Sequence, residues 1–244
     1  MKIAIMGDVH GYDLSRYDFL IEKISPDILI LLHDCDFAHS LVQCEQLSKR
    51  FYAQGKTVIG VAGNHDMAHY LKTPIHSGIY DIMNTDFNKL QQTLSENDSA
   101  VKYLEKICTI NPAKVSFSIQ HEDDDINFIV LHGSYSTNVH NSVDQELSEY
   151  WARLTTNVDY DETFKQMKQK NHQIMIRGHD HRPWYTYKDK NKGIRHYEPR
   201  PHNTEFCLFP NRQHIITAGA LCHGQIASIN TNSKIPMLKY HWII

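Results

Sequence analysis

The sequence predicts an α/β protein built around a parallel sheet, and two observations lead to this class. Short apolar runs alternate with amphipathic stretches in the order strand, helix, strand, helix, strand over residues 2–61. Consecutive strands joined by helices run parallel, so this order predicts a parallel sheet. From Trp184 onward, short aromatic and β-branched runs lie between turns, which predicts a mostly antiparallel meander.

Each element has its own signal. Apolar residues recur at helical spacing from Tyr17 to Ile24, and Pro26 follows as a stop signal, so a helix is predicted there. Similar patterns predict helices over residues 40–54, 86–94, 99–107, 144–154 and 159–170. Strands are predicted over residues 2–6, 28–32, 57–61, 115–119, 126–131, 174–176, 184–187, 194–197, 206–209, 214–217, 225–229 and 237–242. The acidic stretch 121–125 lacks the Gly and the distal Glu of a calcium loop, so we interpret it as a solvated hairpin turn.

Composition narrows the protein class. The length of 244 residues fits one domain or two small ones, and we expect a single domain over residues 1–244. The net charge of −3 argues against a generic polyanion binder. Five cysteines without a Cys-x-x-Cys pair predict a reduced, cytoplasmic protein. No signal peptide is predicted, because the apolar run Ile3–Met6 near the amino terminus is too short for its apolar region. No membrane span is predicted, because no apolar run approaches about 20 residues. The 17 histidines invite a search for a metal site.

Polar side chains follow five of the predicted strands directly. They are Asp8 and His10, Asp34, Asn64 and His65, His132, and His179 and His181. The carboxyl ends of parallel strands meet at one edge of a sheet, so we expect these residues to lie together. Carboxylates with imidazoles favour Mn, Fe, Co or Zn over calcium, and one carboxylate can bridge two ions about 3.5–4 Å apart. The pattern predicts a site for two divalent transition metals.

Taken in order, these residues resemble the motifs of the calcineurin-like metallophosphoesterases. The family pattern is Asp-x-His, Gly-Asp-x-x-Asp, Gly-Asn-His-Asp or Gly-Asn-His-Glu, a lone His, and Gly-His-x-His. The matching segments are residues 7–11, 33–36, 63–66, 132–133 and 178–181. The resemblance implies a four-layer α/β/β/α sandwich of two facing mixed sheets. It is closest to the small, single-domain phosphoesterases of bacteria and archaea.

The resemblance also implies a role for each motif residue. One metal would be held by Asp8, His10, Asp34 and His181, and a second by Asp34, Asn64, His132 and His179, with Asp34 bridging. Mn or Fe is expected, with Zn, Co or Ni as alternatives. His65 would protonate the leaving oxygen, and Asp66 would pair with His65 and hold it charged and oriented. A hydroxide shared by the metals would attack phosphorus in line.

The chain departs from the protein serine/threonine phosphatases of this family. His33 replaces the Gly before the bridging Asp, which leaves the geometry of that loop open. Phe37 and Val61-Ala62 occupy positions where those phosphatases carry phosphate-clamping arginines. Arg182, directly after the last motif, is the cation expected to reach a substrate phosphate. The expected substrate is a small phosphate ester, such as a nucleotide or a phosphodiester, with the choice between monoester and diester open.

Other candidates have plainer explanations. Basic and aromatic residues interleave over residues 177–200, where a solvated hairpin with its aromatic side chains in the core is favoured over nucleic-acid binding. His223 lies in a Gly-flanked loop that either approaches the site or forms a surface turn. His69 and His76 follow the Gly-Asn-His-Asp motif and are weaker candidates for the pocket. Cys35, without a matched base, is expected to be a packing residue.

Two other functions compete with a phosphoesterase acting on a small substrate. Members of such families can lose catalysis and become interaction modules, but here every implied ligand and His65 are present. A nuclease is the other alternative. The sequence shows no dedicated nucleic-acid-binding domain, and its net charge argues mildly against a nuclease. The sequence does not indicate an oligomeric state.

Overall fold

The computed structural model describes residues 1–75, 77–110, 114–135, 150, 152–189, 193–201 and 204–243. Within these ranges, twelve strands form two six-stranded sheets. The strands are β1 (Lys2–Met6), β2 (Ile28–Leu31), β3 (Thr57–Gly60), β4 (Lys114–His121), β5 (Asp124–Leu131), β6 (Ile174–Arg177), β7 (Pro183–Asp189), β8 (Gly193–Tyr197), β9 (Glu205–Cys207), β10 (Gln213–Ala218), β11 (Gln225–Asn230) and β12 (Met237–Trp242). The strand predictions are confirmed with small shifts at the ends.

The described helices include two that the sequence patterns did not predict. The helices are α1 (Asp18–Ile24), α2 (Ala38–Ala53), α3 (Asn64–Leu71), α4 (Gly78–Ile82), α5 (Phe87–Ser95), α6 (Asp98–Ile110) and α7 (Asn157–Gln169), with 3-10 turns at Leu14–Tyr17 and Leu221–His223. Helices α3 and α4 are the unexpected ones. The helix predicted over residues 144–154 lies mostly outside the described residues. None of the described helices is long and apolar enough to cross a bilayer.

Both sheets are mixed. The first sheet has the order β3-β2-β1-β11-β12-β9, and the second has the order β4-β5-β6-β10-β7-β8. Strands β1, β2 and β3 pair in parallel, as predicted, while β11 pairs antiparallel to β1. The prediction that the strands after Trp184 form one mostly antiparallel meander is wrong in its pairing. Its strands divide between the two sheets, and β10 pairs in parallel with β6.

Alternating side chains along the strands build the layers. In β1, Ile3 and Ile5 enter a core that also holds Phe128 and Ile176 of the second sheet. Ala4 and Met6 of the same strand face the other way, into a core shared with α1, α2 and α6. A third core packs α7 against the outer face of β5, β6 and β10. The arrangement is helices, sheet, sheet, helix, so the four-layer sandwich is confirmed.

Candidate metal centre

The site loops begin at the ends of β1, β2 and β3 in one sheet and β5 and β6 in the other. The sandwich brings these ends together, as expected for a ligand site of α/β sheets. Seven loop residues adopt left-handed backbone angles with φ between 41° and 73°: Asp8, His10, His33, Asp34, Asp36, His179 and His181. Such conformations cost about 1–3 kcal/mol each and persist where surrounding contacts hold them, which is typical of functional sites.

Two motif glycines give the site its close packing. Gly63 has an ordinary φ of −84°, but a Cβ at this position would lie 2.3 Å from Asp34 Oδ1. A Cβ at Gly178 would lie 3.0 Å from Asp8 Oδ2 and 3.3 Å from the His132 ring. The absent side chains therefore leave room for two carboxylates and an imidazole.

The structure brings together the first predicted ligand set. Ligand atoms of Asp8, His10, Asp34 and His181 all lie within 4.8 Å of one another. His10 Nε2 lies 3.2 Å from Asp34 Oδ2 and 2.9 Å from His181 Nε2. Among the described residues, Asp8 Oδ2 and Asp34 Oδ2 are buried carboxylate oxygens without a hydrogen-bond partner. Buried polar atoms are normally satisfied, so these two oxygens are suited to bind a cation.

The members of the second predicted set also lie close to one another. His132 Nε2 is 3.0 Å from Asn64 Oδ1 and 3.6 Å from Asp34 Oδ2, and His179 Nδ1 is 2.8 Å from Asn64 Oδ1. His132 Nδ1 donates to the Leu32 carbonyl at 3.0 Å, which directs Nε2 toward the Asn64 oxygen. An imidazole nitrogen and an amide oxygen at this distance are both atoms that can bind a metal ion.

Electrostatics also favours positive charge at this centre. Burial acts to lower the pKa of His10, but the carboxylates of Asp34 and Asp36 outweigh it and hold that pKa above its ordinary value. Burial, with the nearby charges of His132 and Arg177, lowers the pKa of His179. A neutral imidazole is the form that binds metals. The site therefore combines anionic carboxylates with His179, whose lowered pKa favours the neutral ring that can bind a metal.

His65 has a different carboxylate partner from the one expected. The resemblance implied Asp66, but His65 Nδ1 donates to Asp36 Oδ1 at 2.5 Å. Burial acts to lower the pKa of His65, while Asp34 and Asp36 raise it above its ordinary value. Asp36 Oδ2 also accepts from His10 Nδ1 at 2.7 Å. Asp36 therefore links the candidate acid to a candidate metal ligand, a role that the sequence interpretation missed.

Asp66 instead holds the loops together. It occupies the third position of α3, and its carboxylate accepts from the backbone amides of Gly63, Asp34 and Cys35 at 2.8–3.0 Å. The contact to Gly63 is one half of a capping box, in which the third helical residue reaches back to the amide of the residue before the helix, while glycine has no side chain to make the other half. The pairing expected between Asp66 and His65 is therefore wrong. Asp66 ties the loop after β2 to the start of α3.

A tyrosine from the unexpected helix α4 completes the surroundings of His65. The Tyr80 hydroxyl donates to Asp36 Oδ1 at 2.9 Å and lies 3.3 Å from His65 Nδ1. Tyr80 is 3% exposed. Burial and the neighbouring Asp36 raise the pKa of Tyr80, so its hydroxyl stays protonated and able to donate. No motif or periodicity pointed to this residue.

Three other residues considered in the sequence analysis, His33, Cys35 and His69, are buried near the site loops. His33 adopts the left-handed conformation in place of the family Gly, and its Nδ1 donates to the Val61 carbonyl at 2.8 Å. Cys35 is buried 3.8 Å from the Cys44 sulfur, and burial raises its pKa, in line with a packing role. His69 is buried against Phe87, with Nδ1 bonded to Gln91.

The last two candidates for the site are Arg182 and His76. Arg182 is exposed beside His181, and its contact with substrate stays a prediction. His76 lies outside the described residues.

Comparisons with known proteins identify the family of this chain. Residues 1–199 match the family model described as the calcineurin-like phosphoesterase superfamily domain. The chain belongs to the calcineurin-like phosphoesterase superfamily. The resemblance inferred from the five motifs is thereby confirmed. No curated protein sequence matches the chain.

Solved structures share the fold at low sequence identity. A metallophosphoesterase from Sphaerobacter thermophilus has a TM-score of 0.63 and 18% identity, over 100% of this chain and 89% of that one. A hypothetical protein from Pyrococcus horikoshii has a TM-score of 0.62 and 12% identity, over 99% and 87%. A protein serine/threonine phosphatase from Saccharomyces cerevisiae has a TM-score of 0.53 and 12% identity, over 100% and 80%. At these identities the likeness concerns the fold alone.

Proposed function

We propose that this phosphoesterase-superfamily member is a hydrolase of small phosphate esters, such as nucleotides or phosphodiesters, and uses two divalent transition metals. The main support is the pair of ligand sets that share Asp34. Asp34 Oδ2 lies 3.2 Å from His10 Nε2 and 3.6 Å from His132 Nε2, between the two sets. Its lack of a hydrogen-bond partner among the described residues suits a bridging ligand.

Seven residues would hold the metals. Asp8, His10, Asp34 and His181 form one set, and Asp34, Asn64, His132 and His179 form the other. Carboxylate, amide and imidazole ligands suit Mn or Fe, with Zn, Co or Ni as alternatives. Two ions bound there would lower the pKa of water and neutralise charge developing on phosphate oxygens.

The chain's own contribution to the chemistry is a positioned acid. His65 Nδ1 is engaged by Asp36, which leaves Nε2 as the nitrogen that can give a proton to the leaving oxygen. The raised pKa of His65 favours the protonated ring that this task requires. Asp36 and Tyr80 hold the ring in place, and Asp66 holds the loop that carries Asp34.

The competing functions are weaker on the same observations. An interaction module would have no need of both ligand sets, an acid and its orienting carboxylate. The net charge of −3 continues to argue mildly against a nuclease.

We also propose a single domain over residues 1–244, because β9, β11 and β12 lie beyond the matched residues 1–199 and yet join the first sheet beside β1. A cytoplasmic location stays a prediction.

The test is reconstitution followed by a substrate panel. Purified protein is loaded with Mn, Fe, Co, Ni or Zn, and its metal content is measured together with hydrolysis of monoesters, diesters and dinucleotides. We expect two ions per chain and hydrolysis of at least one substrate class. Folded protein that takes up no metal would overturn the proposal. Two bound metals without hydrolysis across the panel would favour the interaction module.

A further inference from the structure

A cavity of about 180 Å³ has none of the seven predicted metal ligands in its lining. Its walls come from the 3-10 turn after β1, the 3-10 turn Leu221–His223 and the end of β12. Its lining residues are Tyr12, Arg16, Tyr17, His223, Gly224 and Ile243. The cavity therefore lies between segments that are far apart in the sequence, near residues 12–17 and near residues 223–243.

One wall of the cavity also borders the candidate metal centre. His223 Nδ1 donates to the His181 carbonyl oxygen at 3.0 Å, and the two ring centroids are 6.1 Å apart. The His181 side chain is 33% exposed, while the other six ligand residues are at most 5% exposed. Among the described ligands, His181 therefore marks the open side of the centre. His223 therefore lies beside this open side.

The cavity walls are held firmly against the metal loop. The backbone amide of Leu221 donates to the Gly7 carbonyl at 2.9 Å, and the Tyr17 hydroxyl donates to the Leu221 carbonyl. Gly224 has φ +72°, and a Cβ there would lie 2.7 Å from the Ile243 carbonyl oxygen. These contacts join one cavity wall to the loop that carries Asp8. The shape is therefore largely formed before a ligand arrives.

The lining chemistry suits a planar aromatic group. Tyr12 and His223 supply rings, Ile243 supplies an aliphatic surface, and Arg16 can stack on a ring or donate to its edge. A second phosphate would find a single cation here, and the Asp13 carboxylate lies at the start of the same 3-10 turn that carries Arg16, which disfavours an anion. We propose that this cavity binds the base of a nucleotide whose phosphoryl group lies at the candidate metal centre. This inference rests on the proposed phosphoesterase function.

The test compares two substrates that differ only in the base. With metal-loaded protein, kcat/KM is measured for adenosine 5′-phosphate and for ribose 5-phosphate. We expect the wild type to prefer the nucleotide. Replacing Tyr12→Ala or His223→Ala should reduce the ratio of the two values about 10-fold, mainly through KM, in line with the effect of losing one base-stacking ring. Tyr52→Ala, an exposed tyrosine of α2, is the matched control and should keep the ratio.

A second measurement separates failure of this inference from failure of the proposed function. The ring resonances of His223 are followed by NMR in the full chain while adenosine 5′-phosphate or ribose 5-phosphate is added. A shift with the nucleotide alone supports base binding even if neither compound is hydrolysed. Equal kcat/KM values for both compounds, with no selective shift, overturn it. A preference for ribose 1,5-bisphosphate that Arg16→Gln abolishes would also overturn it, because the cavity would then bind an anion.

Discussion

Two clusters of buried charge share one loop of this protein and differ in how their charges are satisfied. Arg177 is fully buried, and each of its side-chain nitrogens donates: Nε to the Gly133 carbonyl at 2.6 Å, and the two terminal nitrogens to Asp180 and to neighbouring oxygens. On either side of Asp180, His179 and His181 belong to the candidate metal-ligand cluster. There, Asp8 and Asp34 each keep a buried oxygen that has no hydrogen-bond partner within the described part of the chain.

The difference separates charge that stabilises the fold from charge that awaits a ligand. An internally paired cluster needs nothing more, and removing one member leaves the other uncompensated. A cluster with unpaired acceptors is costly unless a cation binds. If this comparison is correct, substitutions in the two clusters should fail in different ways, through loss of metal and activity in one and through loss of stability in the other.

The largest effect is expected for Asp34→Ala. This change removes the oxygen shared by both ligand sets, so both metals should be lost or greatly weakened and hydrolysis should fall to background. Metal analysis and activity assays on the folded variant check this. The exposed Asp18→Ala is the control and should retain both metals. Full metal content and activity in Asp34→Ala would show that Asp34 is not the bridge.

His65→Ala should reduce catalysis and leave both metals bound. An alkoxide leaves poorly unless it is protonated, so hydrolysis of an alkyl or ribosyl ester should fall by about 10²–10⁴-fold. Nitrophenolate needs little protonation, so a nitrophenyl ester should be affected much less. The measurement compares both ester types in wild type and variant, with metal content checked. Equal losses for both esters, or loss of a metal, would contradict the role of His65 as an acid.

Arg177→Met should act on stability. Breaking a buried ion pair costs about 3–5 kcal/mol, and the lower end is expected because Asp180 retains 16% exposure of its side chain. Denaturant unfolding of chelated protein measures the change in the free energy of unfolding. Arg50→Met, which breaks the exposed pair with Asp18, is the matched control and should cost about 0–1 kcal/mol. Similar losses in the free energy of unfolding for both variants would show that the buried Arg177 cluster does not stabilise the fold more than an exposed ion pair does.

Tyr80→Phe should give the smallest effect. It removes one hydrogen bond to Asp36, which is worth about 0.5–1.5 kcal/mol, so turnover of an alkyl ester should fall about 2- to 10-fold. A positioning role predicts a drop in kcat with little change in KM, and a smaller drop for a nitrophenyl ester. Tyr240→Phe removes an equally buried hydroxyl that donates to the Trp184 carbonyl, and it should leave kcat unchanged. A matching loss of kcat in Tyr240→Phe would indicate a general packing effect.

Sequence patterns were most informative where they depend on local physics. Apolar runs located the strands, and strand ends located the candidate ligands, because parallel strands must bring their carboxyl ends to one edge. The division of the late strands between two sheets was not predictable in this way, since periodicity does not choose a partner. Tyr80 was missed for a similar reason. It reaches Asp36 through a long-range contact, 44 residues away in the sequence.

The wrong prediction that Asp66 pairs with His65 could have been avoided from the sequence. A carboxylate at the third position of a helix commonly reaches back to the amides at the helix start. Reading residues 63–66 as the beginning of a helix would have placed Asp66 in that role and left the partner of His65 open. Asp36 then stood as an unassigned carboxylate two residues after the predicted bridge.

Metal binding at the proposed centre would link metal supply to production of the folded protein, because the site loops contain left-handed backbone angles. Each such residue weakens the metal-free fold, and ions that bind only the folded chain offset that loss in proportion to the logarithm of their free concentration. A cell or culture medium poor in transition metals would then yield less folded protein as well as less active protein. Metal limitation during synthesis would appear as low abundance before it appeared as low activity.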